Sequence, residues 1–70
     1  MLVYQKVRQY LEDHGITQAF VAEKCGISQV TFNAIMQGRR KLYAEDLRAI
    51  CYALNVSPET FIEFHGVESA

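Results

Sequence analysis

The chain has 70 residues, half of them hydrophobic, with four glycines, one proline and a formal net charge of −1. A chain of this length holds one domain at most, and its hydrophobic content excludes intrinsic disorder, so we expect residues 1–70 to form a single domain. No apolar run of about 18 residues and no signal-peptide pattern is present, which predicts a soluble cytoplasmic protein without a membrane partner.

Hydrophobic spacing predicts five helical segments and no strand, because apolar residues recur at helical intervals and no alternating run or hairpin turn is present. A glycine follows each of the first three segments, and the second, third and fifth segments each begin with a serine or threonine, as is typical of helix ends and N-caps. The helices are expected over about Val3 to His14, Thr17 to Cys25, Ser28 to Gln37, Ala44 to Leu54, and from Ser57 into the C-terminal region.

The second and fifth helices carry the apolar residues that are hardest to orient. In the second, either Phe20 or Val21 faces inward. In the fifth, Pro58 takes the first helical position, and the residues from about Val67 onward are expected to fray. Further apolar surface in the fifth helix comes from Phe61, Ile62 and Phe64.

The cysteines and histidines do not indicate a metal or a cofactor. Cys25 and Cys51 are too few for a disulfide framework and lie in apolar helical patterns, so we interpret them as reduced core thiols. His14 and His65 are not at metal-ligand spacing from either cysteine. The sequence therefore predicts no metal site and no cofactor.

Charge is distributed unevenly along the chain. Residues 24–44 hold four basic residues and no acid, whereas the rest of the chain holds three basic residues and all eight acids. Such asymmetry favours one face for an anionic partner, although chance clustering of so few charges is the alternative. The four basic residues are Lys24, Arg39, Arg40 and Lys41.

The third predicted helix has an uncharged outer face. At about 100° per residue, Phe32 and Ile35 fall on the buried side and Met36 at its border. An exposed amide can bond the N6 and N7 edge of adenine, and a small apolar side chain can touch a thymine methyl, so this face suits the major groove of DNA. An ordinary polar face that happens to lack charge is the alternative. The outer arc consists of Gln29, Val30, Asn33, Ala34 and Gln37.

Residues 17–38, "TQAFVAEKCGISQVTFNAIMQG", resemble the helix-turn-helix of the lambda-repressor and Cro-like (XRE-type) family. Residues 38–62, "GRRKLYAEDLRAICYALNVSPETFI", are similar to the family's basic loop, fourth helix and start of the fifth. The resemblance implies an all-α, compact five-helix fold with the motif formed by helices 2 and 3. The residues that match the motif pattern are Gln18, Ala22, Gly26, Phe32 and Ile35.

The resemblance also implies roles for individual residues. Gln29, Val30 and Ala34 match base-contacting positions, and Asn33 faces the same groove. Gln18 matches a residue that contacts phosphate and often supports the first recognition residue. The complete set of expected backbone contacts is Gln18, Gln37, Arg39, Arg40, Lys41 and Tyr43, where Tyr43 either touches phosphate or simply packs.

Two positions depart from the family pattern. The family often has Pro-Ser before its fourth helix, where this chain has Leu42 and Tyr43. The usual N-cap is therefore missing, and the geometry of that loop is open. The family also often carries arginine late in its first helix, where this chain has Leu11.

The resemblance implies a sequence-specific regulator that binds double-stranded DNA, a repressor of phage or bacterial type acting at the nucleoid. A palindromic operator and a homodimer are expected, because one recognition helix reads only a few base pairs. The alternative for the C-terminal helix is that it only caps the core. Residues expected at the dimer interface are Tyr52, Phe61, Ile62, Phe64 and Val67.

Other functions remain open from the sequence. A helical protein-interaction module without DNA binding fits the net charge of −1 better. An antitoxin or a restriction-modification controller would share the same fold. An enzyme with a small-molecule substrate is not expected, because no nucleophile–base pair, metal spacing or phosphate loop is present.

Overall fold

The computed structural model describes residues 2–62, in which every regular element is a helix and no strand is present. The all-helical prediction is therefore confirmed for this part of the chain, with boundaries within one or two residues of those expected. Phe64, Val67 and the predicted fraying at the C-terminus lie outside the described residues. The elements are α1 (Val3–Asp13), α2 (Gln18–Cys25), α3 (Gln29–Met36), α4 (Ala44–Leu54) and a 3₁₀ helix (Pro58–Thr60).

The predicted fifth α-helix appears, as far as Ile62, only as the three-residue 3₁₀ helix. The amide of Thr60 bonds the Ser57 carbonyl at 2.9 Å, and that of Phe61 bonds the Pro58 carbonyl at 3.0 Å. These bonds close turns between residues three apart, which is the tighter 3₁₀ geometry. The expected count of five α-helices is thus not confirmed.

The predicted N-caps of α2 and α3 are both present. The Thr17 hydroxyl accepts a hydrogen bond from the Phe20 amide, and the Ser28 hydroxyl accepts one from the Thr31 amide, each at 3.1 Å. Each bond satisfies an amide that has no partner within its own helix. These caps therefore determine where the two helices begin.

Helix α4 begins without the usual cap residue, and an acidic side chain takes over part of that role. Tyr43 occupies the N-cap position, and its backbone N–H donates to the Asp46 carboxylate at 3.0 Å. A carboxylate in the first turn is also stabilised by the positive end of the helix dipole. The departure from Pro-Ser therefore leaves the start of α4 where the sequence predicts it.

The core is formed by one face of each helix and the residue that follows the 3₁₀ helix. Val21 is buried and Phe20 is 47% exposed, so Val21 is the inward residue of α2. Met36 is fully buried, which corrects its expected position at the border of the α3 face. The buried hydrophobic residues are Val7, Leu11, Val21, Ala22, Phe32, Ile35, Met36, Leu47, Ile50, Cys51 and Phe61.

Phe61 belongs to this core, and its expected place at a dimer interface is wrong for that reason. Its side chain is 1% exposed, and its ring makes an edge-on contact with the Tyr10 ring at a centroid distance of 5.5 Å. Aromatic pairs favour this arrangement, which adds to the area that Phe61 buries. Phe61 therefore closes the core against α1 and offers no surface to a second subunit.

Packing leaves the outer face of α3 uncovered by the other helices. Helix α2 packs against both α3 and α4, while α1 packs against α3. The buried side of α3 is thus enclosed by α1 and α2. None of the helices in residues 2–62 has the length and apolarity needed to cross a membrane.

Both cysteines are free thiols. Cys51 is buried and Cys25 is half-buried. Burial raises the pKa of both thiols, and the nearby Asp46 carboxylate raises the pKa of Cys25 further. Both thiols therefore stay protonated at neutral pH, consistent with a packing role.

Candidate nucleic-acid interface

The turn between α2 and α3 sets the angle at which α3 leaves the core. Gly26 has a φ of 77°, in the left-handed region that an L-residue with a Cβ adopts at a cost. The next amide, of Ile27, bonds back to the Ala22 carbonyl at 3.1 Å. This is the Schellman arrangement at a helix end. The chain therefore leaves α2 sharply and enters α3 at Ser28.

The outer arc of α3 is open to solvent. Val30 is 80% exposed, Gln29 and Gln37 are exposed, and Asn33 and Ala34 are half-buried. An aliphatic side chain with this exposure gains nothing from the core. The five residues that the sequence predicts to form one face do share it.

Three of the four predicted base-contacting residues line one shallow depression of about 320 Å³, and Arg39 lines it with them. The three are Gln29, Val30 and Asn33. Ala34 does not line this depression. The surface thus combines two amides, one isopropyl group and one guanidinium, which are the groups that bond or touch base edges.

Asn33 is held by α2. Its Nδ2 donates to the Gln18 Oε1 across 3.1 Å, in a part-buried bond between the two helices of the motif. The family resemblance leads us to expect Gln18 beside the first recognition residue, Gln29. In this structure Gln18 bonds the fifth residue of α3, Asn33.

A second Schellman turn directs the basic loop. The Gly38 amide bonds the Ile35 carbonyl at 3.1 Å, and the Arg39 amide bonds the Ala34 carbonyl at 3.0 Å. The Arg40 amide also reaches the Ala34 carbonyl, at 3.3 Å. The start of the basic loop is therefore tied by its backbone to the end of α3.

The side chains of this loop point outward. Arg39, Arg40 and Lys41 are all exposed. Within residues 2–62, neither arginine side chain has a hydrogen-bond, ion-pair or ring partner. Lys41 Nζ lies 5.5 Å from the centroid of the Tyr43 ring, which is 57% exposed. These residues form a cationic edge beside the uncharged arc.

Helix α1 supports the end of α3 through residues that the sequence analysis missed. The Arg8 Nη1 donates to the Met36 carbonyl at 3.0 Å, and the Tyr4 side chain lies against Gly38. A cation at the C-terminus of a helix opposes the negative end of its dipole. The Arg8 guanidinium lies 6.0 Å from the centroid of the Tyr4 ring, and their spacing of four residues is the only sequence signal for this pair.

Gly38→Ala is expected to destabilise the protein by about 2–4 kcal/mol. The φ at this position is 78°, and an added Cβ would lie 2.5 Å from the Tyr4 hydroxyl oxygen. Gly15→Ala is the matched control, because Gly15 has a φ of 65° and no neighbouring atom within 4 Å of such a Cβ. Gly15→Ala should lower the free energy of unfolding by only about 1–2 kcal/mol. Urea unfolding of both variants checks the difference, and equal losses would mean that Tyr4 does not confine Gly38.

The remaining predicted interface residues lie apart from the arc. Tyr52 on α4 is 87% exposed, and Ile62 is half-buried. Tyr52 is therefore accessible to a partner, whereas Phe61 is not because it is buried. Phe64 and Val67 are beyond residue 62 and so outside the part that the structure describes.

Comparison with known families agrees with this geometry. The family model for the Cro/C1-type HTH DNA-binding domain matches residues 6–66, which include the whole motif and the basic loop. The comparisons with curated proteins and with solved structures gave no match. The matched span covers far more than half of the 70 residues. The chain therefore belongs to the Cro/C1-type helix-turn-helix DNA-binding family.

Proposed function

We propose that this DNA-binding domain is a sequence-specific transcriptional repressor of phage or bacterial type, which reads the major groove with α3. The observation that carries the proposal is the uncharged, exposed arc that ends at a cationic loop. Helix α3 is eight residues long and has a capped N-terminus. Recognition helices of this kind insert their N-terminal residues into the major groove, so the first residues of α3 are the ones nearest the base edges in this proposal. Its direct readers are Gln29, Val30, Asn33 and Ala34.

The lack of charge on the arc has an electrostatic reason. A helix in the major groove lies between two rows of phosphates, and a carboxylate there would be repelled by both. Amides can donate and accept at the same time, so they discriminate among base edges without a net charge. Val30 adds an apolar group that suits the C5-methyl of thymine.

The phosphate contacts are proposed around the two ends of the motif. Gln18 at the start of α2 and Gln37 at the end of α3 supply amide donors, and the basic loop supplies cations. Arg8 offsets the negative end of α3, which lowers its repulsion of nearby phosphate. The remaining proposed backbone contacts are Arg39, Arg40, Lys41 and Tyr43.

Gln29→Ala is expected to cost about 1–3 kcal/mol of binding free energy on the preferred site and to blur discrimination at one base pair. Gln29 is exposed and the first residue of α3, so its truncation should leave folding intact. Gln37→Ala is the matched control, since it removes the same amide from the other end of the arc. The control should weaken preferred and random duplexes by the same factor. Unchanged discrimination in Gln29→Ala would contradict the assignment of α3.

We further propose a homodimer on a palindromic operator. Two half-sites would lie about 34 Å apart, or a multiple of that, so that both copies of α3 face one side of the duplex. The proposed interface uses Tyr52, which is exposed on α4, and Ile62, which is half-buried, and Phe64 and Val67 are expected to contribute to it. Sedimentation equilibrium should show dimers at micromolar concentration, and a strict monomer at high micromolar concentration would refute the interface.

Selection of bound sequences from random duplex DNA tests the whole proposal. A palindromic consensus is the expected result, because a two-fold dimer imposes its symmetry on the site. A consensus without two-fold symmetry would retain sequence-specific binding and refute the palindrome. No enrichment at low salt would refute the proposal and favour a protein-interaction module, which the net charge of −1 would suit.

A further inference from the structure

Arg39 belongs to the basic loop, but it lines the same shallow depression as three residues of the α3 arc. The depression has a volume of about 320 Å³. Arg40 and Lys41, the next two residues of the loop, do not line it. Arg39 is therefore the cation of this loop that lies beside the proposed base readers. The other residues that line the depression are Gln29, Val30 and Asn33.

The backbone of the turn after α3 keeps Arg39 at this position. The Arg39 amide donates to the Ala34 carbonyl across 3.0 Å, and Ala34 is itself a residue of the arc. Gly38, directly before Arg39, has a φ of 78°, which turns the chain out of the helical direction. The Arg39 side chain therefore starts from a fixed point beside the last turn of α3.

The hydrogen-bond donors of Arg39 are free. Its side chain is exposed, and within residues 2–62 it has no hydrogen-bond, ion-pair or ring partner. Lys41 differs, because its Nζ lies 5.5 Å from the centroid of the Tyr43 ring. A guanidinium has five N–H donors in a planar fork and no acceptor. All the donors of Arg39 are thus available to a ligand at the depression.

Guanine is the base whose edge fits these donors. Its major-groove edge presents two acceptors, N7 and O6, which an arginine fork can bond together. Adenine presents the acceptor N7 and the donor N6–H, so an arginine there would place one N–H against another. The amides of Gln29 and Asn33 both donate and accept, which suits adenine instead. The depression therefore holds groups suited to both purines.

We propose that Arg39 is a specificity-determining residue, which donates to N7 and O6 of a guanine next to the base pair that Asn33 reads. The inference rests on the proposed entry of α3 into the major groove. It adds a base contact to a residue whose family position implies a phosphate contact. A guanine takes two of the five N–H donors, so Arg39 can still donate to a phosphate as well.

The salt dependence of binding does not distinguish a base contact of Arg39 from a phosphate contact. A cation between two rows of phosphates displaces counterions whether its donors bond a base or a phosphate. Arg39→Ala and Arg40→Ala should therefore each lower the slope of log K against log salt by about 1. The preference for guanine is the property that separates the two arginines.

The test compares the loss of Arg39 with the loss of its neighbour. Arg39→Ala and Arg40→Ala each remove one exposed positive charge from the 70-residue chain. Selection from random duplex DNA gives the preferred site of each protein, and Asn33→Ala marks the base pair that Asn33 reads. Each guanine of the site is then replaced in turn by adenine, or by deazaguanine, in which carbon takes the place of N7 and pairing with cytosine is retained. Titration of these duplexes measures the discrimination at each position.

The expected results assign one guanine to Arg39. Arg39→Ala should lose about tenfold or more of the discrimination for guanine over adenine at one base pair, next to the one marked by Asn33→Ala. Arg40→Ala should keep that discrimination while it binds every duplex less tightly. Deazaguanine at the same base pair should weaken binding of the unsubstituted protein about tenfold, because a charge-assisted hydrogen bond is lost. It should not weaken binding of Arg39→Ala.

Several outcomes would overturn the inference alone. Uniform weakening by Arg39→Ala, with every base preference intact, would make Arg39 a phosphate contact only. The same loss of guanine discrimination in Arg40→Ala would mean that the preference depends on the charge of the loop. An effect of deazaguanine that persists in Arg39→Ala would assign N7 to another residue. A preferred site that contains no guanine would refute the guanine contact and leave the proposed function intact.

Failure of the proposed function has a different signature. If the unsubstituted protein selects no sequence, the proposed function is refuted and this inference falls with it. A thermal melt of each variant verifies that folded proteins are compared. The deazaguanine titration of the unsubstituted protein needs no substitution, so it tests the guanine contact independently of any effect of a variant on folding.

Discussion

Phe32→Ala is expected to lower the free energy of unfolding by about 3–5 kcal/mol, which is the usual loss for removing a buried aromatic ring. Phe32 is 0% exposed and is one of the largest side chains in the core. A domain of this size has only about 5 kcal/mol of stability available, so much of the variant should be unfolded at 37 °C. Urea unfolding followed by circular dichroism measures the loss.

Phe20→Ala is the matched control for Phe32→Ala. Its ring is 47% exposed, and the amino group of Lys24 lies 5.5 Å from its centroid. Truncation of Phe20 removes little buried surface, so the free energy of unfolding should fall by no more than about 1 kcal/mol. Similar decreases in the free energy of unfolding for the two variants would contradict the assignment of Phe32 to the buried face of α3. DNA affinity should follow the fraction of folded protein in Phe32→Ala.

Replacement of Arg39, Arg40 and Lys41 together by alanine is expected to weaken DNA binding by about two to three orders of magnitude at 0.1 M salt. Each cation that neutralises a phosphate releases counterions, and the slope of log K against log salt changes by about 0.9 for each. The triple variant should therefore reduce that slope by about 3. All three side chains are exposed, so folding should be little affected. Titration at several salt concentrations measures both quantities.

Arg48→Ala provides the control for the loss of a cation in general. Arg48 is exposed on α4, outside the acid-free segment of residues 24–44. We compare Arg48→Ala with the single variant Arg40→Ala, because each removes one positive charge. Arg48→Ala should change the slope of log K against log salt by less than Arg40→Ala does. An equal change in both variants would mean that DNA attraction depends on total charge and not on the basic loop. Equal binding of the triple variant and the unsubstituted protein would refute the phosphate-contact proposal.

The amino-acid sequence predicted the four α-helices because the signals that define them are local. Apolar residues repeat at helical spacing, Thr17 and Ser28 cap the helices that follow them, and Gly26 permits the turn between α2 and α3. Each signal depends on residues within about one helical turn of one another. The exposed arc of α3 follows from the same periodicity once Phe32 and Ile35 are placed inward. The family was recognisable from these local signals, and the family match over residues 6–66 confirms it.

The fifth helix shows where local signals were insufficient. Ser57 and Pro58 do start a helical turn, as predicted, but it is a 3₁₀ helix of three residues. The pattern from Phe61 to Phe64 predicted apolar surface, yet Phe61 inserts beside Tyr10 and is buried. The Phe61 ring is buried against α1, which lies about fifty positions earlier in the chain, so its burial depends on how these two distant segments pack together. Hydrophobic spacing within one segment carries no information about that packing.

The candidate site also has some features that the sequence predicts and others that depend on long-range packing. The residues of the arc and of the cationic loop can be predicted from the amino-acid sequence, because helical periodicity and a run of basic residues are local features of one segment. The bond between Gln18 and Asn33 and the bond from Arg8 to the Met36 carbonyl depend on the tertiary structure, because their partners are 15 and 28 positions apart in the chain. Such bonds form only when core packing brings two helices to a particular distance and angle, since a hydrogen bond weakens steeply outside a narrow geometry.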